Sequence, residues 1–143
     1  MKKWIQRIAG IVQIGGGFIG ASQIIERFTA IDMSNPNFIL SVVFLIVFLF
    51  VLISGVLLLE DHAKGFVWSM VAQALQIPFI SFPFFAYKLI AGADINLYWV
   101  GNSGGLNYLL GSYWDLSIHG GSIWGIGVNL FALAMFLCLW RLK

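Results

Sequence analysis

The sequence predicts an all-α integral membrane protein: four transmembrane helices with a short β-hairpin-like outer segment between the third and fourth. Three observations carry that expectation. Phe38 to Leu59 holds no charge and no proline, and only Ser41, Ser54 and Gly55 interrupt its hydrocarbon; about 20 such residues match the roughly 30 Å core of a bilayer. The chain is 60% hydrophobic and 10% charged, with a mean hydropathy of +0.92, whereas a soluble domain is about 25% charged. Its eight basic residues gather at the ends of the apolar runs, the pattern of membrane orientation.

The spans are expected over about 4–28, 38–59, 65–90 and 121–140 of one membrane domain, 1–143, with the outer segment over 91–120. Lys2, Lys3, Arg7, Lys64, Arg141 and Lys143 fall on one side, and Arg27 and Lys88 on the other. By the positive-inside tendency this places both termini in the cytoplasm. Trp4, Trp68 and Trp140 then mark inner headgroups, and Tyr87 and Trp124 outer ones. The reading is a multi-pass protein of a bacterial inner (plasma) membrane. The basic start resembles a secretory signal, but Ile19-Gly20-Ala21 lacks the small residue that cleavage wants, so retention of the segment is expected.

Span one collects Gln6, Gly10, Gln13, Gly16, Gly17, Gly20, Gln23 and Arg27 on one side of a helical wheel. Small residues let helices approach closely in lipid, and amides hydrogen-bond across the contact. The stripe therefore reads as a packing seam, or else as the lining of a path. Span three carries Ser69, Gln73, Gln76, Pro83 and Tyr87 on one face. Pro78 and Pro83 would kink that helix and free the carbonyls of Ala74 and Phe79. Span four carries a shorter stripe of Ser122, Gly125, Asn129 and Ala132, with Asn129 as its one strongly polar deep residue. Glu26 and Arg27 lie near the outer interface, where snorkelling is cheap.

The short first outer loop, about 29–37, contains Asp32 and Pro36. In the second, Ile95, Leu97 and Trp99 alternate with smaller or polar partners, and Leu106, Tyr108 and Leu110 alternate again. Gly101-Asn102-Ser103-Gly104-Gly105 between them is a turn signal. Tyr113, Asp115 and Ser117 form a third short alternating run. The alternative is a glycine-rich loop on the headgroups. Trp99, Tyr108 and Trp114 are its candidate contact residues, and an edge strand of this kind can pair across subunits.

No chemistry of a familiar kind is spelled out. His62 and His119 are expected on opposite sides, and three consecutive residues, Glu60-Asp61-His62, do not converge as metal ligands do. Cys138 has no internal partner, and no catalytic or phosphate-binding motif is present. The expectation is no enzyme, no cofactor, no metal and no nucleic-acid partner, because no basic face exists to neutralise phosphates. Small multidrug exporters are similar in length and span number, but they use a carboxylate midway along the first helix, where this chain has Gln13. Claudins also set an outer sheet on four helices, though theirs follows the first span and carries paired cysteines. The expected function is a non-catalytic oligomeric assembly, scaffold or accessory subunit in contact with lipid, with a homo-oligomer and a membrane-protein partner in view. The alternative is a small-solute or ion channel lined by Gln13, Gln23, Gln73, Gln76 and Asn129.

Overall fold

The computed structural model describes residues 2–28, 36–118 and 123–143. Most of the first outer loop, with Asp32, lies outside the described residues, as do His119 and Ser122. The element order is α1 (Lys2–Phe28), α2 (Pro36–Leu59), α3 (Gly65–Gln76), β1 (Pro78–Phe82), β2 (Phe85–Val100), β3 (Ser103–Ile118), β4 (Gly125–Asn129) and α4 (Leu130–Leu142). Among the described residues the fold is mixed: four helices and a four-stranded antiparallel sheet in the order β1-β4-β2-β3.

This corrects the all-α, four-helix-bundle expectation. Among the described residues, only α1 and α2 are long and apolar enough to cross a membrane. The expected third span stops at Gln76 and the expected fourth begins as strand. With 12 and 13 residues, α3 and α4 reach only about 18–20 Å at 1.5 Å per residue. The reasons are local. Pro78 has no amide hydrogen for another helical turn, yet it is tolerated as the first residue of a strand. Past it, Phe79, Ile80, Phe82 and Phe85 favour a pleated surface. Pro83 occupies the two-residue turn to β2, where Phe82 pairs with Phe85. Ala74 O accepts from Ile77 N, so it is not left without a donor. In β4, Gly125 and Gly127 alternate with β-branched Ile126 and Val128, a composition that costs a helix and suits a strand.

The chain reverses at Gly101-Asn102, and β2 and β3 pair over their whole length, from Phe85–Ile118 to Val100–Ser103. The hairpin is thus longer than the segment expected over 91–120. β2 pairs with β1 through residues 85–87 and with β4 through 96–100, and β1 pairs with β4. Three strands can close on one another like this only if β2 bends sharply in its middle. The bend is at Gly92 (φ +105°), directly opposite Gly111 (φ +133°). That backbone region is open to glycine and strained for other residues.

The bend rests on α1. A Cβ added to Gly16 would stand 2.1 Å from the backbone of Ala91 and Gly92, and Ser112 Oγ donates to Gly16 O at 2.6 Å. Helix and hairpin meet backbone to backbone. Around this crossing a core forms from Ala21, Ile24, Phe44, Phe48, Val51, Ala72, Leu89 and Ala91. A second cluster of Ala9, Leu58 and Leu139 ties the start of α1 to the ends of α2 and α4. This brings the basic N-terminal, α2–α3 and C-terminal residues to one end of the molecule. Ile39, Ile46 and Ile53, seven residues apart on α2, point outward.

Candidate functional site at the bend of the long hairpin

The amides singled out in the sequence act mainly as internal ties. Gln13 and Ser69 bond reciprocally: Gln13 Nε2 donates to Ser69 O at 3.2 Å, and Ser69 Oγ donates to Gln13 Oε1 at 2.9 Å. Gln76 donates to Ala72 O and accepts from the Ala91 amide at 2.8 Å, joining α3 to the hairpin. Gln73 is buried beside them, and Gln23 faces outward. Gly20 packs on the Phe48 ring of α2, whereas Gly16, its partner in the G-x-x-x-G pair, packs on the hairpin.

Asn129 lies at the strand-to-helix junction. Its Oδ1 accepts from Ala132 N at 3.1 Å, capping α4, and from Ile95 N at 3.3 Å, while Nδ2 donates to Ala93 O at 3.4 Å. One buried amide thus starts a helix and holds β2 to it. Asn129→Leu should lower stability by about 2 kcal/mol, since a lost cap and unsatisfied buried partners each cost about 1 kcal/mol or more; thermal unfolding in detergent, followed by circular dichroism, measures this.

Of the aromatic candidates, Trp114 stacks on Phe44 of α2 at 4.5 Å, with the Arg27 guanidinium 5.4 Å from its ring. It anchors the hairpin to both long helices. Trp99 and Tyr108 are exposed, and Trp99 Nε1 donates to Gly101 O across the turn.

The most unusual chemistry lies on either side of the bend, at residues that sequence reasoning passed over. Lys88 Nζ is 3.3 Å from Asp94 Oδ2. The ammonium also lies 5.3 Å from the Phe79 ring and 6.0 Å from the Tyr113 ring, within reach of a cation–π attraction. Asp94 is 3% exposed and Asn96, two residues along the strand, is 2% exposed. Asp94 Oδ1 and Asn96 Oδ1 are both buried without a hydrogen-bond donor. Buried acceptors nearly always have donors, so two within three residues mark a place where polar groups serve something other than packing. Burial pushes the Asp94 carboxyl above the ordinary carboxylate range, and the Lys88 ammonium partly opposes the shift.

The sequence did contain a signal for this pair: one lysine and one aspartate within an otherwise apolar, glycine-containing run. Its meaning depended on the bend, since six residues along a straight strand would set the two about 20 Å apart. Among the described residues no three histidine, cysteine or carboxylate side chains converge as a metal site. Compared with protein-family models, curated proteins and solved structures, the chain matches none.

Proposed function

We propose that the chain is a non-catalytic assembly protein of a bacterial inner (plasma) membrane. α1 and α2 cross the bilayer, both termini face the cytoplasm, and β3 pairs with a second copy. One observation carries this reading. β3 is an edge strand of 16 residues, and it presents Tyr108 (80% exposed) and Leu110 (83% exposed) at its middle. A long apolar edge is a template for pairing with another chain, and two copies of one edge pair antiparallel about a two-fold axis. The ties made by Gln13, Gln76 and Asn129 support packing over an open path. The outward isoleucines of α2 support contact with hydrocarbon, and the basic residues gathered at one end support the orientation.

Cross-linking tests it. Directly opposed residues of an antiparallel pair have Cα atoms about 4.5–5.5 Å apart, which suits a disulfide. In a Cys138→Ala background, with single cysteines placed in turn at Leu106, Tyr108 and Leu110, an oxidised dimer is expected in native membranes at the position nearest the two-fold axis, where a residue faces its own copy. Ile46→Cys, on the outward face of α2, should stay monomeric. If none of the β3 positions cross-links, this assembly is wrong.

A further inference from the structure

The Lys88–Asp94–Asn96 group does not take part in the assembly proposed above, and its hydrogen bonding is incomplete. Both orphan atoms are acceptors, one on a carboxylate and one on an amide. A single proton on Asp94 Oδ1 would turn one acceptor into a donor, and the neighbouring Asn96 Oδ1 is the acceptor it lacks. Asp94 and Asn96 are two residues apart on one strand, so both project to the same face.

Lys88 has a second place to go. Asp115 on β3 is its direct cross-strand partner, and such pairs have Cβ atoms about 4.5–5.5 Å apart. The other titratable groups at hand are Tyr113 on β3, with Arg27 of α1 near it, and Tyr98 further along β2. Across the enclosed face, β1 and β4 contribute Phe79 and Gly127. Those two strands carry no ionisable side chain.

We infer that Asp94 is a proton-binding site with two settings. In one, the carboxylate is ionised and paired with Lys88. In the other it holds a proton from solvent, donates it to Asn96 Oδ1, and releases Lys88 to Asp115. Charge balances: the proton's charge neutralises Asp94, and the freed ammonium neutralises Asp115. No covalent bond other than the O–H bond forms or breaks. Because Lys88 and Asp94 flank the Gly92 bend, the exchange decides whether an ion pair closes that bend.

Infrared titration of the reconstituted full chain between pH 4 and 9 tests the assignment through the carbonyl band of a protonated carboxyl group. A band titrating above the ordinary carboxylate range, and lost in Asp94→Asn, is expected. Asn96→Val should move the band to higher frequency, because the O–H loses its acceptor. Asp115→Asn should lower the proton affinity about tenfold, one pH unit, since Lys88 then has no second partner. Asp94→Asn keeps a neutral side chain of the same shape, so its failure to fold is not expected; the wild-type band decides the matter regardless. A wild-type spectrum without such a band, a band that survives Asp94→Asn, or an Asp115→Asn titration that coincides with wild type overturns the inference.

Discussion

Gly16→Ala is expected to destabilise the protein by about 3 kcal/mol, at the upper end of what overpacking a tight contact costs. Gly15→Ala, one residue earlier, should instead stabilise it by up to about 1 kcal/mol, because alanine is the better helix former. The opposite signs follow from what each new methyl meets. At Gly16 it would stand 2.1 Å from the Ala91 carbonyl carbon and the Gly92 nitrogen. Those are backbone atoms, and the Gly92 bend itself lies against Val12, where a Cβ would be 2.5 Å from its carbonyl oxygen. Neither chain can retreat without losing the Ser112–Gly16 hydrogen bond. At Gly15 the methyl meets nothing within 4 Å. Thermal unfolding of the two variants in one detergent compares them directly. Equal behaviour would mean that the hairpin does not cross α1 at Gly16.

Lys88→Met should cost about 3 kcal/mol at pH 8, because removing one partner of a buried ion pair strands the other charge. The loss should shrink as the pH falls. Without the ammonium, desolvation is left to raise the Asp94 carboxyl, so its folded value lies above its unfolded one. A group raised in this way contributes its stability below the unfolded value, and that stability is lost as pH rises through the folded value. The variant is therefore least impaired in acid and most impaired above neutrality. Lys88→Met combined with Asp94→Leu should recover most of the stability, since replacing both members of a buried pair by apolar groups is often neutral. Unfolding midpoints of wild type, both single variants and the double variant, each at pH 5 and pH 8, give the coupling between the two residues. A coupling near zero at pH 8 would show that the pair is not closed.

Gly16, Asn129 and the Lys88–Asp94 pair are unequally legible in the sequence. The triplet Gly15-Gly16-Gly17 marks a place where something approaches closely, but it does not say what approaches or which glycine it touches. Gly17 faces the Leu52 and Phe48 turns of α2, Gly16 faces a strand, and Gly15 faces outward. Asn129 was legible as a buried polar tie. Its part in starting α4 was not, because the helix was expected to begin well before it. Lys88 read only as a basic residue on the outer side and Asp94 was not singled out; the bend brings them within 3.3 Å.

The amino-acid order alone determined the two long apolar helices, the turn at Gly101-Asn102 and the alternating runs around it. All three are written in neighbouring residues: runs apolar enough on average over a bilayer's thickness, glycine and asparagine where a chain reverses, and a period of two beside them. Tertiary structure decided which strands pair, and that β2 bends and closes a ring with β1 and β4. The physical reason is that buried backbone hydrogen-bonding groups must be satisfied somewhere. A helix satisfies them within its own segment, so its sequence suffices. A strand needs a partner distant in the chain, and only folding supplies Val128 for Pro78 or Asn129 for Asn96.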